Sequence, residues 1–242
     1  VNRGRNGEPT EHRDQLLCAL AENKVPLNAV IRNGEETILA KDLLRTSVRE
    51  FHLDQEEIEW TATAFALYLP PQACWANRLG ETFTFDDLAT TLMSRSPGQG
   101  SCRGIHLATS LTVLLLADAR SPVLSQVVRD KTHRFLSGLV EEASETQLAD
   151  GGWPQCWAPS LFLDDPDYGF TPASNLVNRV IVAGHLTEWF HLLPEELKPR
   201  RETVHRATAN LCGLLEQSPE QTMRQEFCPY SHAVFSLFLA KQ

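Results

Sequence analysis

Four segments of this chain are apolar on nearly every helical face, and they limit its possible folds more than any other feature. They cover residues 61–70, 106–115, 185–194 and 232–240. A helix that is apolar all round has to be covered on every side. The segments between them are more polar and amphipathic, for example residues 125–147 and 200–217. This alternation predicts stacked helical hairpins whose buried members form an inner layer.

Strand-like alternation bounded by turns is nearly absent from the chain, so the predicted fold class is all-α. Capping residues, prolines and apolar spacing predict helices over residues 11–20, 37–51, 54–69, 84–96, 103–118, 122–147, 172–193, 199–217 and 229–241. Residues 23–36 are rich in turn-forming residues and are expected to form a loop. We predict one curved array of helical hairpins over residues 10–242, preceded by a flexible tail over residues 1–9.

The charge of the chain argues against nucleic acid as a partner. The chain has 31 acidic against 22 basic residues, a formal net charge of −9, and no basic stripe. The longest apolar stretch, residues 111–117, is far shorter than the roughly 18 residues of a membrane span, so none is expected. The first residues lack the features of a signal peptide, and the six cysteines are scattered singly. We therefore expect a reduced, cytoplasmic protein.

Residues 147–153 read Gln-Leu-Ala-Asp-Gly-Gly-Trp and fall between a predicted outer helix and a predicted inner one. This sequence resembles the glutamine–tryptophan motif of the terpenoid-cyclase and prenyltransferase α/α-toroid superfamily. The resemblance implies a toroid-like or partial-barrel array in which the Gln caps a helix and the Trp stacks on it. Glu142 and Ala143 replace the aromatic–aliphatic pair expected upstream, and the acidic and zinc-binding motifs of the superfamily's enzymes are absent. Their activities are therefore not expected here.

Two of the four apolar segments begin with the same pattern of chemically active residues. Cys102 precedes His106 by four positions, and Cys228 precedes His232 in the same way. Random placement of six cysteines and eight histidines would rarely give two such pairs at equivalent repeat positions. Residues four apart share one face of a helix. Cys228, directly before Pro229, is expected at a helix N-cap.

If the inner helices run parallel, their histidines approach one end of a central cavity. This predicts a metal site, for zinc before other ions, with ligands drawn from Cys102, His106, Cys228 and His232. His185, at the equivalent place in a third inner helix, and Glu188 are the candidate catalytic residues, with His185 also available as a ligand. Two alternatives stay open: a metal-free Cys–His pocket, and thiols and imidazoles that only pack in the core.

Aromatic and polar residues near the same helix ends are candidates for binding a small molecule. They are Trp60, Glu59, Trp189, Trp75 and Asn77. An apolar wall with a few polar groups is typical of a ligand site. Loop packing for Trp75 and Asn77, and attraction to a helix dipole for Glu59, are the structural alternatives. Glu59 and Glu188 are also the carboxylate pair that a carbohydrate-active enzyme would need.

These patterns leave two classes of function open. The first is a toroid-like domain whose central cavity binds a small-molecule ligand, either as a zinc-assisted enzyme or without catalysis. The second is a non-enzymatic helical-repeat scaffold that binds another protein on its concave surface. Metal content separates the two classes, because only the first depends on the Cys and His residues. Nothing in the composition requires a second copy of the chain.

Overall fold

The computed structural model describes residues 12–34, 36–71, 74–95, 101–162 and 175–241 of the chain. These residues are mostly helical, in agreement with the all-α prediction. The predicted tail over residues 1–9 and the predicted helix start at residues 171–172 lie outside the described residues. The toroid-like arrangement stays a prediction.

Ten α-helices lie within the described residues. They are α1 (Gln15–Glu22), α2 (Ala40–Arg49), α3 (Ile58–Tyr68), α4 (Phe85–Ser94), α5 (Ile105–Arg120), α6 (Gln126–Glu145), α7 (Leu176–Leu192), α8 (Arg201–Glu216), α9 (Glu220–Gln225) and α10 (Phe227–Leu239). Each predicted helix has a counterpart among them, whereas the short α9 was not predicted. Side-chain caps explain two of the starts, since Thr84 and Asn175 accept hydrogen bonds from backbone N–H groups in the first turns of α4 and α7.

Two short antiparallel strand pairs interrupt the helices, and neither was predicted. β1 (Val30–Asn33) pairs with β2 (Glu36–Leu39), and β3 (Trp75–Ala76) pairs with β4 (Thr82–Phe83). The expectation of a loop over residues 23–36 is therefore wrong in its second half. Gly34 is a turn signal in the sequence. In the structure it has a φ of +62° and begins the tight turn of this hairpin.

Internal contacts divide the chain into two compact units. Unit 1 consists of residues 1–95 and 113–132, and unit 2 of residues 96–112 and 133–242. The divisions after residues 112 and 132 fall inside α5 and α6. A single domain over residues 10–242 stays a prediction.

The core of unit 1 is built around one tryptophan. Between ring centroids, Trp75 lies 5.3 Å from both Phe65 and Phe85 and 5.6 Å from Phe51, in edge-on orientations. Edge-to-face pairs of this kind contribute about 0.5–1.5 kcal/mol each beyond the burial of the rings. The cluster packs the β3–β4 hairpin against α3, which carries Phe65, and α4, which carries Phe85.

A buried carboxylate closes the turn after α5, also in unit 1. Asp118 Oδ1 accepts hydrogen bonds from the backbone N–H groups of Val123 and Leu124, each at 2.8 Å. The Arg129 guanidinium, in the first turn of α6, donates to both carboxylate oxygens. Burial favours the neutral acid, but the hydrogen bonds from Arg129 and the backbone outweigh it and lower the pKa of Asp118.

Replacing Asp118 by Asn removes the charge and keeps the shape of the side chain. At pH 7 we expect Asp118→Asn to reduce the free energy of unfolding by about 1–3 kcal/mol, because Arg129 loses its ionic partner. The lowered pKa stabilises the folded state only where the acid is ionised, so the difference narrows as the pH falls below about 4. Urea denaturation of the wild type and the variant at pH 7 and pH 3 measures this difference in the free energy of unfolding.

The matched control for this substitution is Asp130→Asn, at an exposed position of α6. It is expected to change the free energy of unfolding by less than about 0.5 kcal/mol at either pH. A destabilisation by Asp118→Asn that is equally large at pH 3 and pH 7 would contradict an ionic role for Asp118.

In unit 2, residues 147–153 form a tight turn that ties α6 to α8. The Gln147 side-chain amide donates to the backbone carbonyls of Gly151 and Thr203, both at 3.0 Å. The buried Trp153 indole N–H donates to the carbonyl of Ala143 at 2.6 Å. These bonds connect the last turn of α6 and the first turn of α8 to one loop. Membership of the toroid superfamily stays a prediction.

Gly151 is the residue in this turn that tolerates least change. Its φ is +89°, and a Cβ there would lie 2.3 Å from the backbone oxygen of Arg206. We expect Gly151→Ala to lower the free energy of unfolding by roughly 2–4 kcal/mol through backbone strain and overpacking. Gly138→Ala, in open space within α6, is the control and should raise it by about 0.5–1 kcal/mol. Equal effects of the two substitutions on the free energy of unfolding, measured by urea denaturation, would refute a special strain at Gly151.

The segment Cys102–Arg120, which contains α5, is long and apolar enough to cross a membrane. The rest of the protein buries 67% of its most apolar window, and a core helix has the same length and composition. The expectation of no membrane span stays a prediction.

Candidate metal centre

Three histidines from three different helices meet in unit 2. They are His106 of α5, His185 of α7 and His232 of α10. The ring centroids of His185 and His232 lie 4.1 Å apart, and those of His106 lie 5.0 Å from His185 and 5.5 Å from His232. The sequence pattern predicted that these side chains approach one another, and the structure brings them together.

The close approach of α7 to α10 places two of the three rings in contact. A Cβ on Gly184 would lie only 3.2 Å from the Cα and N atoms of Ala233, a contact tighter than most Cβ atoms make, so glycine favours this close approach of the two backbones. Glycine inside a helix costs about 1 kcal/mol relative to alanine. His185 follows Gly184 and His232 precedes Ala233, so both imidazoles belong to residues next to this close contact.

Cys102 reaches the histidines from a strained turn before α5. The Cys102 thiol and one ring nitrogen each of His106 and His185 all lie within 4.8 Å of one another, and this group can hold a metal ion. Cys102 and Arg103 both have left-handed backbone, with φ of +51° and +62°. Non-glycine residues in this conformation are uncommon and cluster at functional sites. Trp157 supports the turn, because its indole N–H donates to the Arg103 carbonyl at 2.9 Å.

This geometry differs from the one that the sequence predicted for the two Cys–His pairs. Cys102 lies outside α5, so it approaches His106 through a turn and not along one helix face. α10 begins at Phe227, so Cys228 lies inside its first turn and not at the N-cap. The helix start was placed too late because Pro229 is common at the first helical position but also fits elsewhere in the first turn.

His185 is held as a neutral imidazole with one ring nitrogen available. Its Nδ1–H donates to the Ile181 carbonyl at 2.7 Å, which leaves the lone pair on Nε2. Nε2 is buried and has no hydrogen-bond partner among the described residues, and the side chain is 3% exposed. Burial, and secondarily the charge of His232, lower the pKa of His185 to about 3. A neutral imidazole fixed by a carbonyl at Nδ1 is the form in which histidine binds metals.

The neighbouring His232 is in the opposite protonation state. Its Nδ1 lies 2.6 Å from a carboxylate oxygen of Glu188, one helical turn after His185 on α7. Burial disfavours the imidazolium, but hydrogen bonds with Cys228 and Glu188 and the charges of both groups outweigh burial and raise the pKa of His232 to about 10. The Cys228 residue is exposed. Cys228, His232 and Glu188 thus form a hydrogen-bonded chain that begins at the surface.

The predicted metal ligands fall into two neighbouring sets. Cys102, His106 and His185 form a group that can hold a metal ion, and His185 was predicted both as a catalytic residue and as an available ligand. The ring of His232 contacts the ring of His185, which belongs to that group. Cys228 is connected to the group indirectly, through its hydrogen bond with His232. A metal-binding role for Cys228 and His232, and a catalytic role for Glu188, stay predictions.

The predicted ligand-binding residues do not all lie in the unit that holds the histidines. Trp189 lies in unit 2, one helical turn beyond His185. Its indole N–H donates to Thr112 Oγ1 at 2.9 Å inside the core of that unit. Glu59, Trp60, Trp75 and Asn77 belong to unit 1. Glu59 and Glu188, the pair considered for carbohydrate chemistry, are therefore in different units.

Trp75 and Asn77 make contacts that support the fold of unit 1. Trp75 is the centre of the aromatic cluster, and the Asn77 side chain bonds the backbone of its own loop and the Phe51 carbonyl. Asn77 also lines a cavity of about 460 Å³, together with apolar side chains of α2 and the end of α3. This cavity is lined by residues of unit 1. Ligand binding by Trp60, Glu59, Trp189, Trp75 and Asn77 stays a prediction.

Three supporting features of the site were not predicted. They are the carbonyl of Ile181, the Gly184–Ala233 contact and the bond from Trp157 to the turn before α5. The glycine directly before His185 was the available sequence signal, since a glycine within a helical pattern often marks close packing. The other two depend on backbone positions that no side-chain pattern specifies.

Comparison of the chain with models of protein families, with curated proteins and with solved structures finds no match. The geometry of the site contains a Cys/His/His group, a buried His185 Nε2 without a hydrogen-bond partner among the described residues, and an adjacent carboxylate–imidazole pair.

Proposed function

We propose that Cys102, His106 and His185 bind one zinc ion, and that unit 2 uses it to bind and transform a small molecule. The observation that carries this proposal is the His185 Nε2 atom, which is buried without a hydrogen-bond partner among the described residues. A buried polar atom left unsatisfied costs about 1–3 kcal/mol. A metal ion bound at that atom removes the penalty.

The choice of zinc follows from the ligand types. A thiolate with two imidazoles suits zinc and is a poor set for magnesium or calcium, which prefer oxygen ligands. Three protein ligands are the number found in catalytic zinc sites, where the fourth position holds water or substrate. Zinc lowers the pKa of bound water to about 7, so it would supply a hydroxide nucleophile and polarise a carbonyl or phosphoryl oxygen.

The remaining residues of the cluster are assigned by their contacts. His232 is in ring contact with His185 and is hydrogen-bonded to Glu188. In this proposal the pair binds an anionic or hydrogen-bond-accepting group of the ligand, because a protonated imidazole donates hydrogen bonds. The substrate class is a small molecule with a carbonyl or phosphoryl group.

The toroid-like architecture is part of the same proposal. The motif at residues 147–153 supports it, because its side chains and backbone bond to three different helices. Gln147 contacts α8, Asp150 pairs with Arg179 of α7 at 2.5 Å, and Trp153 bonds α6. Such a turn is well suited to connecting successive helical hairpins.

A second candidate function is thiol chemistry without a metal. The observation in its favour is the chain from exposed Cys228 through His232 to Glu188, because a nucleophile, a base and a group that orients the base form the arrangement of cysteine enzymes. The two candidates differ in the thiol that matters: Cys102 for the zinc site and Cys228 for the metal-free site. The scaffold interpretation requires neither.

Zinc content of the purified protein tests the first proposal. We expect about one zinc per chain by elemental mass spectrometry, and a loss of at least tenfold in bound zinc in the double variant Cys102→Ser/His185→Ala. Cobalt substituted into the wild-type protein should show the thiolate charge-transfer absorption of a sulfur ligand, and Cys102→Ser should remove it. This spectrum reports ligation directly and does not depend on an unknown activity.

The matched control is Cys212→Ser/His205→Ala, which changes the same residue types at exposed positions of α8. This control variant should bind as much zinc and cobalt per chain as the wild type does. Wild-type protein that binds neither metal, or a control variant that loses as much metal as the site variant, overturns the zinc proposal. If metal is absent and alkylation of Cys228 alone abolishes ligand binding, the metal-free thiol site replaces it.

A further inference from the structure

Helix α10 has two apolar faces, and only one of them is covered by the protein. Tyr230, Ala233 and Ser236 are buried, and α10 packs along α7. The opposite face carries four exposed apolar side chains at helical spacing: Phe227 is 74% exposed, Val234 59%, Phe238 58% and Phe235 46%. Single exposed apolar residues are ordinary, but four on one helix face mark an interaction surface.

The two ends of α10 carry opposite charges. Glu226 and Lys241 are exposed just beyond its two ends, and residues 227–240 between them contain no Asp, Glu, Lys or Arg. The face is therefore neutral in a chain whose formal net charge is −9. Two copies of such a chain repel each other least where neutral surfaces meet.

This pattern is complementary to itself when two copies of α10 run antiparallel. With a two-fold axis between residues 233 and 234, Glu226 of each copy faces the region of Lys241 of the other, and Phe227 lies near Phe238. A parallel pair would instead place Glu226 beside Glu226 and Lys241 beside Lys241. Opposite charges at the ends therefore select the antiparallel arrangement, and a two-fold axis gives a closed dimer.

We propose that the chain forms a homodimer through this face of α10, with the two helices antiparallel. The covering partner is a second copy because the apolar residues and the end charges match under one two-fold axis. A lipid surface fits less well, since interfacial helices carry several Lys or Arg residues and residues 226–241 contain one Lys and no Arg. The proposal is independent of the zinc site.

The size of the face sets the strength of the dimer. Stable interfaces bury about 800 Å² on each partner. Four side chains on one helix cover only part of that area, so the dimer should dissociate in the micromolar range and form reversibly as concentration rises.

Sedimentation velocity over a range of protein concentration tests the dimer. The wild type should change from monomer to dimer between about 1 and 500 μM. Val234→Glu should weaken association at least tenfold, because the two-fold axis brings both new carboxylates together. Phe238→Glu is a second variant with the same expected effect, and circular dichroism checks that both remain folded.

The control is Val127→Glu, an exposed valine of α6 that is 63% exposed and lies outside the proposed surface. It should dimerise like the wild type. Wild-type protein that stays monomeric at all concentrations, equal association of Val234→Glu and wild type, or loss of association in the control overturns the proposal. Binding of the wild type to phosphatidylcholine vesicles without self-association also overturns it, in favour of a lipid surface.

Disulfide trapping tests the orientation in a background with the exposed cysteines at positions 74, 212 and 228 replaced by Ser. Val234→Cys should form an intermolecular disulfide, because its position lies next to the axis. Phe227→Cys alone should not, whereas Phe227→Cys with Phe238→Cys should. A disulfide between two Phe227→Cys chains would show a parallel pair and overturn the antiparallel arrangement.

Discussion

The close contact between α7 and α10 at Gly184 and Ala233 is the constraint on which the site depends. Without a side chain at Gly184, the two helix backbones approach until a Cβ would lie 3.2 Å from its neighbours. The residues adjacent in sequence, His185 and His232, are thereby brought to a ring separation of 4.1 Å. A Cβ at position 184 would require its neighbours on α10 to shift by a few tenths of an ångström, because packed interiors do not absorb extra volume without shifting.

Burial of His185, and secondarily this proximity to His232, explain why the two histidines differ in charge. Two imidazolium ions this near to each other in a buried site repel strongly, so the pair carries one charge. Glu188 and Cys228 hold that charge on His232, and the Ile181 carbonyl holds the proton of neutral His185 on Nδ1. The buried Nε2 of His185 is left without a partner among the described residues. The arrangement is costly in a protein that binds nothing there and is suited to one that binds a metal.

The sequence predicted the helices well and the site in part. Amphipathic and all-apolar periodicity is strong over long segments, so the helices were found, and the repeated Cys-x3-His spacing identified His106 and His232. The left-handed turn at Cys102 was not predictable, because that backbone depends on tertiary support, including the hydrogen bond from Trp157 to the Arg103 carbonyl. The same holds for the hairpin at Gly34 and for the contacts that place Trp75 and Asn77 in unit 1, where loop and aromatic packing depend on distant partners.

Zinc K-edge X-ray absorption on the purified protein reports the atoms bound to the metal and so tests the zinc site without any knowledge of its ligand. We expect a shell with one sulfur at about 2.3 Å and two imidazole nitrogens at about 2.0 Å, with a fourth light atom. A first shell made only of oxygen and nitrogen, or one with two or more sulfur atoms, would contradict a site built from Cys102, His106 and His185.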